Sequence, residues 1–437
     1  MIELLPEGQV RGVTSGRAER PLSILFLTPY FLTPDQPGLL RSWQVARLLA
    51  ERGHCVTVIT TDTHYMTGAG QGQPTRASWR IGTGEIHVRY VSTPRDYRRK
   101  KTGRIGYMLG LTIGGLLTGL LTGKQDVVLA ATLPPTLPLI GLLLAIVRRA
   151  KFVYEVRDMM TDEAVVTGYL RNPLLIWVSY ALESMLYRAS DAIIAVTPGI
   201  KRIIASRGVP ESKITVVING FEEELFLDPP TDVNPRIDHC WGERFVVLYT
   251  GAMGITRDLR TIVEAATLLR DDPGVLFAFL GDGEQRPELS ALAAQRGLRN
   301  CQFLDTVPRK LVPAYCSAAD VCVSLFPRKG LWHIILGNKT FDYLGSGRPM
   351  IFGGTGDTAD LLRAAGAGLV IEPENPRALV EAIATLRADE AQRLEMGRRG
   401  KAYVMEKCSR RALTYALVEV IERLGGSEGK GDRLGHE

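Results

Sequence analysis

Two short segments carry residue types that could hold a phosphate and a ribose. The first is YTGAMG (249–254), where strand residues end in glycines, with Arg257 and Arg260 shortly after. A glycine turn at a helix start brings backbone N–H groups close to an anion, and the helix dipole adds about 0.3–1 kcal/mol. Arg257 could supply a charge-assisted contact of roughly 1.5–3 kcal/mol. The second segment is LGNKTFDYLGSGRPMIF (336–352). Asn338 is expected to cap a helix, with Lys339 in its first turn and Asp342 three residues further along the same face. A cation and an anion so placed suit a phosphate and ribose hydroxyls, and they equally suit a capped surface helix with a local Lys–Asp pair. The spacing of Gly251 and Gly254 departs from GxGxxG, so NAD is not favoured.

Other chemistries find less support. The histidines stand at 54, 64, 87, 239, 333 and 436, too scattered for a metal site. No DxD triplet occurs, and the cysteines at 55, 240, 301, 316, 322 and 408 contain no CxxC pair. Reduced thiols in a cytosolic compartment are expected.

These segments need elements to position them. From Leu22 the pattern runs strand, helix, strand: LSILFLT, GLLRSWQVARLLAERGH, CVTVIT. It resumes with DVVLAAT, an apolar helix ending at Arg148 and Arg149, KFVYEV, a helix through 176–188, DAIIAVT and KITVV. Short all-apolar runs suit parallel strands buried on both faces. A second βα series begins at RFVVLYT (244–250) and continues through VLFAFLGDG, CQFL, DVCVSLF and PMIFGG. The fold class expected is α/β, with two Rossmann-like, doubly wound domains facing each other across a cleft. The domains expected are an N-terminal arm (1–20), a first domain (21–225), a Pro- and Asp-rich linker (226–243), a second domain (244–408), a C-terminal helix (409–425) and a disordered tail (426–437).

Composition is consistent with two domains. The chain has 437 residues, 45% hydrophobic and 23% charged, with a formal charge of +6. That is too apolar for disorder and too long for one small core. The small charge excess disfavours a dedicated nucleic-acid binder. The N-terminus lacks a basic start followed by an apolar run, so secretion is not expected.

One segment stands apart. Between Arg104 and Lys124 lie 19 uncharged residues, IGYMLGLTIGGLLTGLLTG, preceded by Arg95, Arg98, Arg99, Lys100 and Lys101. A basic run abutting an apolar helix suits the face of an anionic bilayer, each cation contributing roughly 1 kcal/mol. Residues 95–123 are therefore expected to face a membrane, with Arg98, Arg99, Lys100, Lys101 and Arg104 as contacts. The alternatives are a glycine-rich helix covered by the sheet, or a true span. The apolar stretch 127–147 is divided by Pro134, Pro135 and Pro138 into a strand and a helix and is expected to be core.

Taken together, PYFLTPDQPGLLRSWQVARLLAERGHCVTVIT, FVYEVRDMMTD, the segment from LESMLYRASDAIIAVTPG to NGFEEELF, YTGAMG, FLGDGEQRPEL and NKTFDYLGSGRP resemble, in order and spacing, the GT-B glycosyltransferases of family 4, in the WbuB-like branch that builds bacterial surface polysaccharides. The resemblance runs from about Leu22 to Ser409. It implies that the second domain binds a nucleotide sugar and the first an acceptor. It implies that Asp342 hydrogen-bonds ribose hydroxyls, that Lys339 and the turn of Gly251 and Gly254 serve the phosphates, and that Gly281 and Gly283 line the nucleotide site. Gly38 and Arg41 match the glycine loop and arginine that close over the diphosphate. Asp158 is implied in the cleft, and Asn219 and Gly220 at the hinge.

The chain departs from the family twice. The first acid of the family's pair, eight residues before Asp342, is here Ile334, with Trp332 and His333 beside it; and no histidine stands near Ala131 and Thr132. The resemblance implies a retaining transferase acting, without cofactor or metal, between a nucleotide-sugar donor, expected to be a UDP-linked hexose or N-acetylamino sugar, and a polyprenyl-diphosphate-linked acceptor. Asp158, Arg257 and Lys339 are the candidate catalytic residues. The location implied is peripheral, on the cytoplasmic face of a membrane. A nucleotide-sugar epimerase and a catalytically silent partner subunit of the same fold remain open.

Overall fold

A computed structural model describes residues 20–33, 40–63, 75–94, 101–227 and 233–426, apart from the side chains of residues 101, 102 and 104. The expected arm before Arg20 and the tail after Gly426 lie outside the described residues, as do Gly38, Arg98, Arg99 and Lys100. The chain divides into two compact units, 20–218 with 411–426, and 219–410.

In the first unit, β1 (Ser23–Leu27), α1 (Arg41–Glu51), β2 (Cys55–Thr61), β3 (Arg76–Ile81), β4 (Gly84–Val91), α2 (Lys101–Leu120), β5 (Val127–Ala131), α3 (Thr136–Arg148), β6 (Lys151–Val156), α4 (Met160–Val166), α5 (Pro173–Ala189), β7 (Ala192–Ala195), α6 (Pro198–Ser206) and β8 (Ile214–Val216) follow one another. The eight strands lie in the order β3-β4-β2-β1-β5-β6-β7-β8, parallel except for β3 against β4. Every residue of β5 and β7 is buried, as all-apolar central strands require. The β3–β4 pair adds an edge that the apolar pattern did not announce, because ASWRI and EIHVRY alternate with charged residues. The chain moves one way across the sheet from β1 to β2, and the other way from β4 to β5 to β6 to β7. Right-handed crossovers therefore set α2, α3 and α5 on one face and α1 on the other.

The second unit contains α7 (Glu224–Leu227), α8 (Pro235–Asp238), β9 (Phe245–Thr250), α9 (Leu259–Leu268), β10 (Val275–Leu280), α10 (Arg286–Gln295), β11 (Cys301–Leu304), α11 (Val312–Ala318), β12 (Val321–Leu325), α12 (Asn338–Gly345), β13 (Met350–Gly353), α13 (Asp357–Ala365), β14 (Gly368–Ile371), α14 (Pro376–Ala388) and α15 (Glu390–Lys407). Its six parallel strands are ordered β11-β10-β9-β12-β13-β14. The direction of winding reverses between β9 and β12, and the ends of strands at such a reversal are where open α/β sheets bind ligands.

Three boundaries differ from the sequence reading. The units part at Ile218–Asn219, ahead of the expected 225. The expected linker is built into the second unit: Trp241 is buried and donates to Gln302 (2.8 Å), and Arg236 pairs with Asp320 (2.8 Å). Its Pro and Asp residues hid one buried tryptophan. The last helix, α16 (Arg410–Gly426), belongs from Arg411 onward to the first unit. There Glu422 accepts from Arg52 Nε at 2.9 Å and Nη2 at 2.8 Å, and it meets His54 Nε2 at 2.9 Å. His54 Nδ1 accepts from the amide of Leu22, so the imidazole ties α16 to the start of β1.

Candidate functional site

Glycine shapes the ends of β9 and β10. Gly251 has φ +110°, and Gly281 has φ +143° with space for no Cβ: one there would lie 2.2 Å from the Gly251 oxygen. The two loops lie back to back, with Gly251 N–H donating to Leu280 O and Met253 N–H to Asp282 O, each at 2.8 Å. Tyr249 Oη donates to Ala252 O at 2.6 Å, and the Thr250 N–H donates to Tyr343 Oη at 2.9 Å. The turn is therefore held by a tyrosine on either side.

Lys339 rises from the first turn of α12 beneath this turn. Its Nζ lies 3.9 Å from the centroid of the Tyr249 ring, and a Cβ on Gly251 would stand 3.5 Å from it. That nitrogen is buried and has no hydrogen-bond partner among the described residues. Burial, reinforced by Arg257, holds the amine well below the ordinary lysine range, with Asp342 acting the other way. Arg257 lies over Phe326 at 4.3 Å from the ring centroid, and Trp332 stacks on the same Phe326 at 5.7 Å. Phe326 follows β12 and Gly251 follows β9, so both cations gather at the reversal of the sheet. A buried ammonium facing a glycine turn, with a guanidinium beside it, can neutralise two or three negative charges of a diphosphate.

Asp342 is placed differently from the local pair with Lys339. Both of its oxygens accept from Arg309, each at 2.7 Å, and Arg309 also donates to Glu222 at 2.9 Å. Glu222 in turn pairs with Arg410 at 2.8 Å. Burial works against the charge of Arg309, but Asp342 and Glu222 outweigh it and hold the guanidinium above its ordinary value. Arg309 and Glu222 were missed because nothing local marks them: Glu222 sits in a loop and Arg309 opens a short 3₁₀ turn, and only the fold joins them to Asp342.

Several expectations are corrected. Asn338 does not cap α12; Gly337 precedes the helix without a side-chain cap, and Asn338 Oδ1 accepts from Arg410 at 3.3 Å. The helix after the glycine turn starts only at Leu259, where Asp258 caps it by accepting from Thr261 N–H, and Gly254 O accepts from Arg257 N–H. An acid already at that terminus leaves α12 as the open helix start. Gly254 and Gly283 lie in the two apposed loops, and Ile334 is buried in a short 3₁₀ turn.

In the first unit, Arg41 is held by partners from its own unit. Its Nε donates to Glu155 at 2.7 Å, Nη1 to Ile218 O at 3.1 Å and Nη2 to Val217 O at 2.9 Å. It thereby ties α1 to the chain just before the unit boundary. Glu155, fully buried, also accepts from Arg157 at 2.8 Å. Asp158 follows at the end of β6, where burial pushes its carboxyl up and Arg157 pulls the other way. Among the described residues, no group of three or more His, Cys, Asp or Glu could hold a metal ion.

Residues 40–220 match the family described as a glycosyl transferase 4-like domain, and residues 244–389 match glycosyl transferases group 1. The chain is 32% identical over 250 residues to a protein named as a colanic acid biosynthesis glycosyl transferase, WcaI of Escherichia coli, covering 55% of this chain and 61% of that protein. It is 28% identical to the D-rhamnosyltransferase WbpZ of Pseudomonas aeruginosa, over 56% of this chain and 63% of the relative. The matches thus span less than two thirds of these relatives. Among solved structures, sucrose-phosphate synthase of Thermosynechococcus elongatus is similar with TM-score 0.71 at 16% identity, covering 93% of this chain and 99% of that one. HepE of Anabaena, solved with UDP-glucose, has TM-score 0.67 at 17% identity, covering 92% and 100%.

Proposed function

The chain belongs to the family-4 glycosyltransferases of GT-B fold, and from that premise we propose that it moves a sugar from a nucleotide-sugar donor to an acceptor hydroxyl in bacterial surface polysaccharide synthesis. The observation that carries this reading is Lys339: a buried amine without a hydrogen-bond partner among the described residues, under a glycine turn at the reversal of the second sheet. Leaving such a group unpartnered is costly unless an anion completes it. The donor we propose is UDP-linked, supported by the UDP-glucose that the similar fold of HepE holds.

In the reaction, the bond between the anomeric carbon and the diphosphate oxygen breaks, and the acceptor hydroxyl forms the new glycosidic bond. Lys339, Arg257 and the open start of α12 take up the charge that develops on the departing diphosphate. This is electrostatic work for which we propose no metal. Asp342, held by Arg309, meets the ribose. Asp158, a stronger base than an ordinary carboxylate because burial lifts its carboxyl, is our candidate for the hydroxyl proton. Retention at the anomeric carbon and a polyprenyl-diphosphate acceptor at the membrane face are part of the same proposal and rest on the family likeness.

A thermal-shift series with UDP, GDP, TDP and their sugars tests the donor site. At a ligand concentration one hundred times its dissociation constant, stabilisation should reach about 2.7 kcal/mol. No shift with any of them in the full chain would overturn the reading.

A further inference from the structure

We infer that α2, α3 and α5 together form one face that lies flat on an anionic lipid bilayer. The crossover directions put these three helices on the same side of the first sheet, and α3 packs against both neighbours. Gly119 of α2 approaches Leu144 of α3, and Thr112 and Thr136 join their hydroxyls at 2.6 Å, so α2 and α3 form a single layer.

The outward sides of that layer are apolar. On α2 and just beyond it, Ile105, Leu109, Ile113, Leu117 and Leu121 recur every fourth residue, and all are exposed. The stretch expected as core ends with Leu143, Ile146 and Val147 facing outward, Ile146 at 65% exposure. The third helix is the least covered: Leu174 is 66% exposed and Trp177 68%, with Leu175, Val178, Leu182 and Met185 also open. A soluble monomer seldom shows so much contiguous apolar surface.

Charge says what covers it. Residues 105–123, 127–147 and 172–182 contain no charged side chain. Around their ends stand Lys124, Arg149, Arg171 and Arg188, all exposed, and none pairs with a carboxylate among the described residues. Acids flanking these helices are already paired: Asp162 and Glu183 with Arg207, Asp191 with Lys151, Asp126 with Arg20. An apolar surface edged by unneutralised cations complements acyl chains beneath anionic headgroups. No helix among the described residues is long and apolar enough to cross a membrane, so the helices lie in the plane of the interface. Trp177 suits that depth, where one edge of the ring is dry and the other wet.

This deepens the proposed membrane-held acceptor, and the test keeps the two apart. The full chain is floated with vesicles of phosphatidylcholine containing phosphatidylglycerol, and with phosphatidylcholine alone. Binding should require the anionic lipid and fall with salt. Leu174→Glu with Trp177→Glu on α5, and separately Ile146→Glu on α3, should each weaken it about tenfold or more, while the UDP-induced thermal shift stays as in the parent. Brominated acyl chains should quench tryptophan emission, and Trp177→Phe should remove most of that quenching. Unaltered binding in the glutamate variants overturns the inference. So does a chain that ignores vesicles but forms a dimer dissolved by the α5 substitutions, since a second copy then covers the face. Vesicle binding without any nucleotide shift would defeat the donor proposal and leave this surface standing.

Discussion

Arg309 grips both oxygens of Asp342, each at 2.7 Å, and joins them through Glu222 to Arg410. An acid that the sequence offers as a ribose contact is thus also the end of a four-residue ion chain inside the second unit. The two duties separate on substitution. Asp342→Asn should destabilise the fold by about 1–3 kcal/mol, because it takes from a buried guanidinium one of its two carboxylates, and it should raise the UDP concentration needed for half-saturation. Urea unfolding reads the first effect and nucleotide titration the second. Loss of stability with unchanged nucleotide saturation would reduce Asp342 to a support for Arg309.

Lys339 should bring a proton with the donor. Its amine is held below the ordinary lysine range when no anion is bound, and a diphosphate beside it restores the charged form. The complex then binds more protons than the free protein, so affinity should fall as pH rises through the window between the free and bound values. Calorimetry in buffers of different ionisation enthalpy should show net proton uptake, lost in Lys339→Met. The same variant should reduce turnover about 10²–10³-fold; full activity would remove the phosphate role.

Acid should attack the first unit at Glu155. Burial alone would raise this carboxyl, but Arg157 and Arg41 together hold it below the usual value. Its folded value is depressed, so its contribution to stability is present above the unfolded value and is lost as pH falls through the folded one. Glu155→Gln should unfold at lower urea near neutral pH and show a flatter acid limb than the parent. A parallel acid limb in both proteins would count against the pairing.

Gly281→Ala should disturb the nucleotide side without touching any charge. The new Cβ would meet the Gly251 oxygen at 2.2 Å, from a backbone at φ +143°. A cost of about 1–3 kcal/mol is expected, together with weaker UDP binding as the Gly251 turn is pushed over Lys339. Paired thermal melts with and without UDP separate the two effects.

The strands were legible because central parallel strands must be apolar on both faces, and the helix carrying Lys339 was legible from residues 336–352. That Lys339 packs under Gly251 was written in neither segment, and only the fold brings the two together. The partners of Asp342 were not legible, since Arg309 lies 33 residues before it and Glu222 a further 87 residues in the same direction. No periodicity records such a meeting. The partner of Arg41 was hidden for a similar reason: the acid that pairs with it, Glu155, lies 114 residues along the chain. The apolar helices near 105–123 and 136–148 read as a membrane contact and as core, yet both carry an open outer side. Composition reports how apolar a helix is, not which of its sides the neighbours leave uncovered.

Because α16 completes the first unit, exchanging the second unit between relatives calls for two junctions. A chimera spliced once, near residue 218, would inherit a foreign helix against β1, α1 and His54, and Glu422 would have to be matched anew. Grafting 219–410 as a cassette between both crossings keeps α16 with the first unit, and makes the two units exchangeable parts.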